Sequence, residues 1–96
     1  MTDPVVAEAR LILLKELARS SDGRSNDLVL DRVLDAHGFR RSRDWLRTQL
    51  RALAELGAID VREAGSVVVA ELKRLGRDHV DRRGAIESVA RPADAE

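Results

Sequence analysis

The sequence predicts a mostly α protein with one small β-hairpin, an α+β arrangement in the order α-α-α-β-β-α. Three observations carry that expectation. First, residues 42–57 have the spacing of an amphipathic helix. Leu46, Leu50, Leu53 and Gly57 recur every three or four residues and share one side. Arg47, Thr48, Arg51, Asp44 and Glu55 fall on the opposite arc. Second, Ile59, Asp60, Val61, Arg62 and Glu63 alternate apolar and polar, as a half-buried strand does. Ala64 and Gly65 supply a turn, and the β-branched run Val67, Val68 and Val69 reads as the returning strand. Third, two helical segments precede this unit and one comes after it. A helix with a basic outer face that runs straight into a tight hairpin is the helix-plus-wing unit of a winged helix-turn-helix. The predicted domain covers residues 3–84.

Taken in order, Asp3 and Pro4 open the first helix as N-cap and first helical residue. Residues 5–18 are apolar on nearly every side: Val6, Ala9, Leu13 and Leu17 on one face, Leu11, Leu14, Ala7 and Ala18 on the next. Such a helix is either central to its own domain or shared between subunits. The second face (Leu11, Leu14, Ala18) is the candidate homodimer interface, unless the C-terminal helix of the same chain covers it.

Residues 20–23 read as a loop, and Ser25, Asn26 and Asp27 compete to cap the second helix. Leu30, Val33, Leu34 and His37 line one face of it. Gly38 ends it, with Phe39 folding back on Leu34 in a Schellman cap. After the short turn of Phe39, Arg40 and Arg41, Ser42 caps the third helix. Gly57 closes that helix as the C′ residue that accepts a positive φ. Trp45 lies at the edge of the buried stripe and is expected to plug a seam between helices rather than touch a base. A fourth helix is predicted over residues 72–83, with Leu72, Leu75, His79 and Val80 facing inward, Gly76 allowing close packing and Gly84 ending it. Residues 85–96, poor in large apolar side chains and containing Pro92, read as a mobile tail.

Composition narrows the function. The 96 residues suffice for one domain. One Trp, one Phe and no Tyr leave nothing for an aromatic platform that stacks single-stranded bases. The absence of cysteine removes disulfides and thiolate metal sites. No apolar run approaches the roughly 20 residues of a membrane span, and no signal peptide is evident, so a cytoplasmic location is expected. Net charge is zero, yet unevenly distributed. Residues 38–57 hold five Arg against Asp44 and Glu55, and residues 72–84 hold five Lys or Arg against Asp78 and Asp81. The segments 21–37, 58–71 and 85–96 are each net acidic. A local basic stretch keeps a specific nucleic-acid role open where the total charge does not. No serine has a histidine–carboxylate partner at a local spacing, and no glycine-rich phosphate loop is present, so an enzyme is not expected. His37 and His79, without cysteines, are expected to be structural rather than metal ligands, and no cofactor is implied.

The third helix and the residues C-terminal to it also resemble a known family. Ser42, Arg43, Asp44, Arg47, Thr48, Leu50, Leu53, Ala54, Glu55 and Gly57 carry the resemblance, continued by residues 67–72, then Leu75, Gly76, Arg77, Asp78, Gly84, Arg91 and Pro92. They are similar to small winged-helix proteins, ArsR-type regulators in label, of Mu-like transposable phages and prophages. The resemblance covers the C-terminal half by motif and the N-terminal half by pattern. Family members often have Thr where this chain has Lys73. It implies phage or prophage origin and a DNA-associated, transcription-regulating role in a bacterial host cell. Metal sensing is not implied, because the sensing sites of ArsR proteins use cysteine.

On this basis the expected partner is double-stranded DNA, bound by a homodimer. Arg40, Arg41 and Arg43 cluster at the N-terminus of the third helix, where backbone N–H groups already favour a phosphate. Ser42 lies among them. Arg43 and Arg47 are expected to read bases or phosphates from the major groove, with Thr48 and Arg51 alongside. The wing, Glu63, Ala64, Gly65 and Ser66, would touch the backbone or minor groove. Arg47 and Arg51 are expected to be surface residues with no buried role. The alternative is a protein–protein module, for phage assembly or host adaptation, in which zero net charge is unremarkable.

Overall fold

The computed structural model describes residues 2–93. They form four helices and a three-stranded antiparallel sheet in the order α-β-α-α-β-β-α. The expected order lacked one strand.

Helix α1 (Pro4–Arg19) starts as expected, with the Asp3 carboxylate accepting the Val5 N–H at 2.8 Å. It is the central helix, packed against α2 (Asp27–Ala36), α3 (Arg43–Glu55), α4 (Arg74–Val80) and strand β3 (Val67–Leu72). That explains why it is apolar nearly all round. Leu11 and Leu14 are 3% and 0% exposed and Ala18 is half-buried, so their own chain covers the face expected to make a dimer. The dimer reading is therefore corrected for Leu11 and Leu14, which belong to the core, with Ala18 half-buried at its margin.

Strand β1 (Arg24–Asn26) pairs antiparallel with β3 over Arg24–Glu71, Ser25–Ala70 and Asn26–Val69. Arg, Ser and Asn carry no strand signal of their own. The open edge of β3 recruits them, so tertiary pairing overrides local propensity. Asn26 is the N-cap of α2, accepting the Val29 N–H at 3.0 Å. That frees Asp27 for another task. At the far end Phe39 N–H donates to Leu34 O and Gly38 N–H to Asp35 O, the two bonds of a Schellman cap, with Gly38 at φ +88°. Ser42 caps α3 through the Trp45 N–H, and Gly57 (φ +83°) and Ala58 close it with the same pair of bonds. Leu46, Leu50 and Leu53 are fully buried, as their spacing predicts. Trp45 is half-buried against the core.

Strands β2 (Ile59–Ala64) and β3 form the hairpin, turning at Gly65 and Ser66. Leu72 ends β3 instead of starting the fourth helix, and α4 stops at Val80, short of Gly84. Leu75 points outward, 53% exposed. Gly76 is buried against the Ala58 carbonyl oxygen and Leu72 Cδ1. A Cβ there would overlap both, and a backbone oxygen has little room to yield. Gly76→Ala should therefore lower stability by about 1–3 kcal/mol through overpacking. A urea midpoint unchanged from wild type would mean that α4 can move away from Ala58.

Part of the stretch expected to be a mobile tail is instead packed, through Ile86, Val89 and Ala90. Ile86 and Val89 are 7% and 6% exposed, and Ala90 N–H donates to Ala7 O on α1. His79 organises this segment. Its ring is buried, Nδ1 accepts the Ile86 N–H at 2.9 Å and Nε2 bonds Ala90 O at 2.8 Å. Both contacts are satisfied by the neutral ring protonated at Nε2. Arg10 adds a second tie, donating to Gln49 Oε1 on α3 and to Ser88 Oγ. Two apolar residues without periodicity gave no reason to expect this, and the packed domain reaches past residue 84 to about Ala90. The last three residues of the expected tail, 94–96, lie outside the described residues.

Candidate nucleic-acid interface

The solvent face of α3 is the candidate surface. Arg43, Arg47 and Arg51 recur every four residues and run along one side of the helix. Arg43, Thr48 and Arg51 are exposed. Thr48 Oγ1 donates to the Asp44 carbonyl one turn back, so its hydroxyl hydrogen is already engaged. Ahead of the helix, Arg40 is exposed and ion-paired with Asp35 at 3.2 Å. The Arg41 guanidinium lies 5.2 Å from the centre of the Trp45 ring, a cation–π contact that holds it near the start of α3. The Ser42 oxygen is occupied by the Trp45 N–H. At the other margin, Glu63, Ala64, Gly65 and Ser66 form an exposed turn, with Gly65 at φ +63°.

Arg47 differs from its neighbours. Its Nε donates to Asp27 Oδ2 at 2.8 Å and an Nη donates to the Ser66 carbonyl at 2.9 Å. Its side chain is 25% exposed, and that of Asp27 is 0% exposed. The other Asp27 oxygen accepts the Val68 N–H at 3.1 Å. One guanidinium and one carboxylate thus join the start of α2, the middle of α3, the hairpin turn and β3. The expectation that Arg47 has no buried role is overturned. Its donors hold the turn against the helix, and its Nε and one Nη are not available to a base. Arg43 and Arg51 are the helix arginines whose guanidinium groups face solvent.

Burial pushes the Asp27 carboxyl up, but the Val68 N–H, the Arg47 guanidinium and the charge of Arg43 outweigh it, leaving it below the ordinary 3.8. A carboxyl more acidic in the folded than in the unfolded chain stabilises the fold above the unfolded value. That stability is lost as pH falls through about 3.9 toward the folded value. Wild type should therefore lose more of its urea midpoint between pH 7 and pH 3 than Asp27→Asn, which cannot titrate. Equal losses would show that other carboxylates account for the acid response.

Sequence reasoning missed two polar contacts. Gln49 falls on the stripe of Leu46, Leu50 and Leu53 and is 5% exposed, so its phase alone marked it as an inward polar residue. Asp27 carried no comparable signal, because its partner stands 20 residues away. No helix among the described residues is long and apolar enough to cross a membrane. No cluster of three or more His, Asp or Glu among them could hold a metal ion.

No family model and no solved structure matches the chain. It is 30% identical over 92 residues to the uncharacterized protein gp26 of Escherichia phage Mu. The match spans 96% of this chain and 95% of that protein. The Mu protein is therefore a full-length relative, and the chain belongs to the family of the Mu protein gp26.

Proposed function

We propose that the chain is a winged helix-turn-helix protein that binds duplex DNA, a phage or prophage transcriptional regulator with α3 as the recognition helix. The observation that carries this is the pairing of two features. Arg43 and Arg51 stand solvent-exposed on one side of α3, and the hairpin turn beside them is tethered to that helix through Arg47. Helix and turn then meet DNA as one preformed surface. The order of α1, β1, α2, α3, β2 and β3, with residues 37–42 connecting α2 to α3, fits a winged helix. Arg43 and Arg51 would reach base edges or phosphates, Arg40 and Arg41 the phosphates flanking the helix start, and the turn the adjacent backbone.

Duplex binding should be strongly salt-dependent. If four phosphates are neutralised, affinity should fall about 100-fold between 50 and 200 mM salt. Fluorescence anisotropy with a pool of random duplexes measures this, and selection from the same pool would give the preferred site. Absence of salt-sensitive binding to any duplex would end this proposal.

A protein-binding module is the second possibility, favoured by a specific observation. Leu28 and Val29, each 41% exposed, stand at the start of α2 beside Asp27. Glu63 at the turn and the zero net charge would also suit a protein partner better than a polyanion.

A further inference from the structure

The sheet order β1-β3-β2 leaves β2 as an edge strand, with nothing paired to its outer side among the described residues. In an antiparallel pair, residues alternately bond the neighbouring strand and point away from it. Lys73 N–H donates to Ala58 O across the pair, whereas Leu72 N–H turns the other way, to Gly23 O. Counting along β2 from Ala58, the backbone groups of Asp60, Arg62 and Ala64 face β3. Those of Ile59, Val61 and Glu63 face outward. The strand contains no Pro, Gly or Lys, residues that commonly blunt an edge. Its side chains beyond Ile59 are exposed except for the half-buried Val61, so they leave the edge open.

We infer that this edge pairs with the β2 edge of a second copy of the chain, antiparallel, about a two-fold axis through Val61. The charge pattern favours self-pairing. The axis sets Val61 against Val61 and Ile59 against Glu63, so every outward N–H meets an outward carbonyl. Asp60 of each copy then stands opposite Arg62 of the other. These fall at non-hydrogen-bonded positions, where Cα atoms are only ~4.5 Å apart and opposite charges stabilise directly opposed pairs. The present partner of Asp60 is distant and exposed, Lys73 at 3.9 Å, and leaves the carboxylate able to take up this contact. The interface is isologous and closes at two copies. The opposite edge offers less, since β1 has only three residues. The dimer does not depend on DNA binding, and it uses a different surface from the covered face of α1.

Sedimentation equilibrium on the full chain without DNA tests this. Wild type should dimerise at micromolar concentrations. Arg62→Asp, on the solvent side of the sheet, should weaken dimerisation at least about tenfold by opposing like charges twice across the axis. The double variant Asp60→Arg with Arg62→Asp, which swaps the pair, should restore it. Because the chain has no cysteine, Val61→Cys gives a second readout. Residues on the axis are ~5.5 Å apart, within disulfide reach. Val61→Cys should form a covalent dimer under mild oxidation much faster than Glu8→Cys on α1. A wild type that stays monomeric at high micromolar concentration would overturn the inference. So would an Arg62→Asp variant that dimerises like wild type, or equal cross-linking at the two cysteine positions.

Discussion

Arg47→Ala should cost the fold about 3 kcal/mol, the lower end of what removing one partner of a buried ion pair costs. The loss arises mainly at Asp27, whose side chain is fully buried. Without the guanidinium it keeps only the Val68 N–H as partner, and the carboxylate charge is left uncompensated away from water. The lower end applies because Arg47 is itself a quarter exposed, so water enters the vacated space more easily than in a sealed core. The Ser66 carbonyl also loses its donor, and the turn loses its tie to α3. Arg47→Lys should recover only part of the loss, since one ammonium cannot reproduce the fork that serves Asp27 and Ser66 together. Chemical denaturation reads the stability, and hydrogen exchange of the Val68 amide reads the tether. If Arg47→Ala leaves both unchanged, the contact to Asp27 is not formed in solution.

Leu50→Ala should be of similar or greater size, ~2–5 kcal/mol for a cavity at a fully buried leucine. Leu50 is 0% exposed, between Leu46 and Leu53 on the stripe of α3 that faces the core. The core cluster it belongs to draws side chains from α1, α2, α3 and the sheet, which limits collapse around the missing atoms. A urea midpoint within error of wild type would place Leu50 outside the core and the phase of α3 in error.

The range of each interaction decides which parts of the chain were legible in sequence. The phase of α3 and the caps at Asp3, Ser42, Gly38 and Gly57 are decided within a few residues, and the structure forms each of them as read. The β2–β3 hairpin is local as well. The third strand is not: Arg24, Ser25 and Asn26 become a strand only because β3 lies beside them, more than 40 residues later. The same holds for the segment after α4, where Ile86 and Val89 are packed by His79 and α1 rather than by any pattern of their own. Leu11 and Leu14 show the opposite error. An apolar face reads the same whether its own chain or another covers it.

At the candidate surface, residue types were legible and their division of labour was not. Five arginines between residues 40 and 51 mark a basic helix start and face. Nothing in their spacing separates Arg47, committed to Asp27 and Ser66, from Arg51, exposed to solvent. The separation depends on a carboxylate in α2 and a turn in the hairpin, both remote in sequence.

That separation makes Arg51→Ala the most direct test of the DNA-binding proposal. The measurement is a salt titration of duplex binding for wild type and Arg51→Ala, beside a urea melt of each. Arg51 is exposed on α3, so the melt should be unchanged to within about 0.5 kcal/mol. Binding should weaken by about 1–3 kcal/mol if it reads a base, or lose about one unit of salt slope if it contacts a phosphate. Binding indistinguishable from wild type at every salt concentration, with the melt unchanged, would contradict the assignment of this face of α3 to DNA.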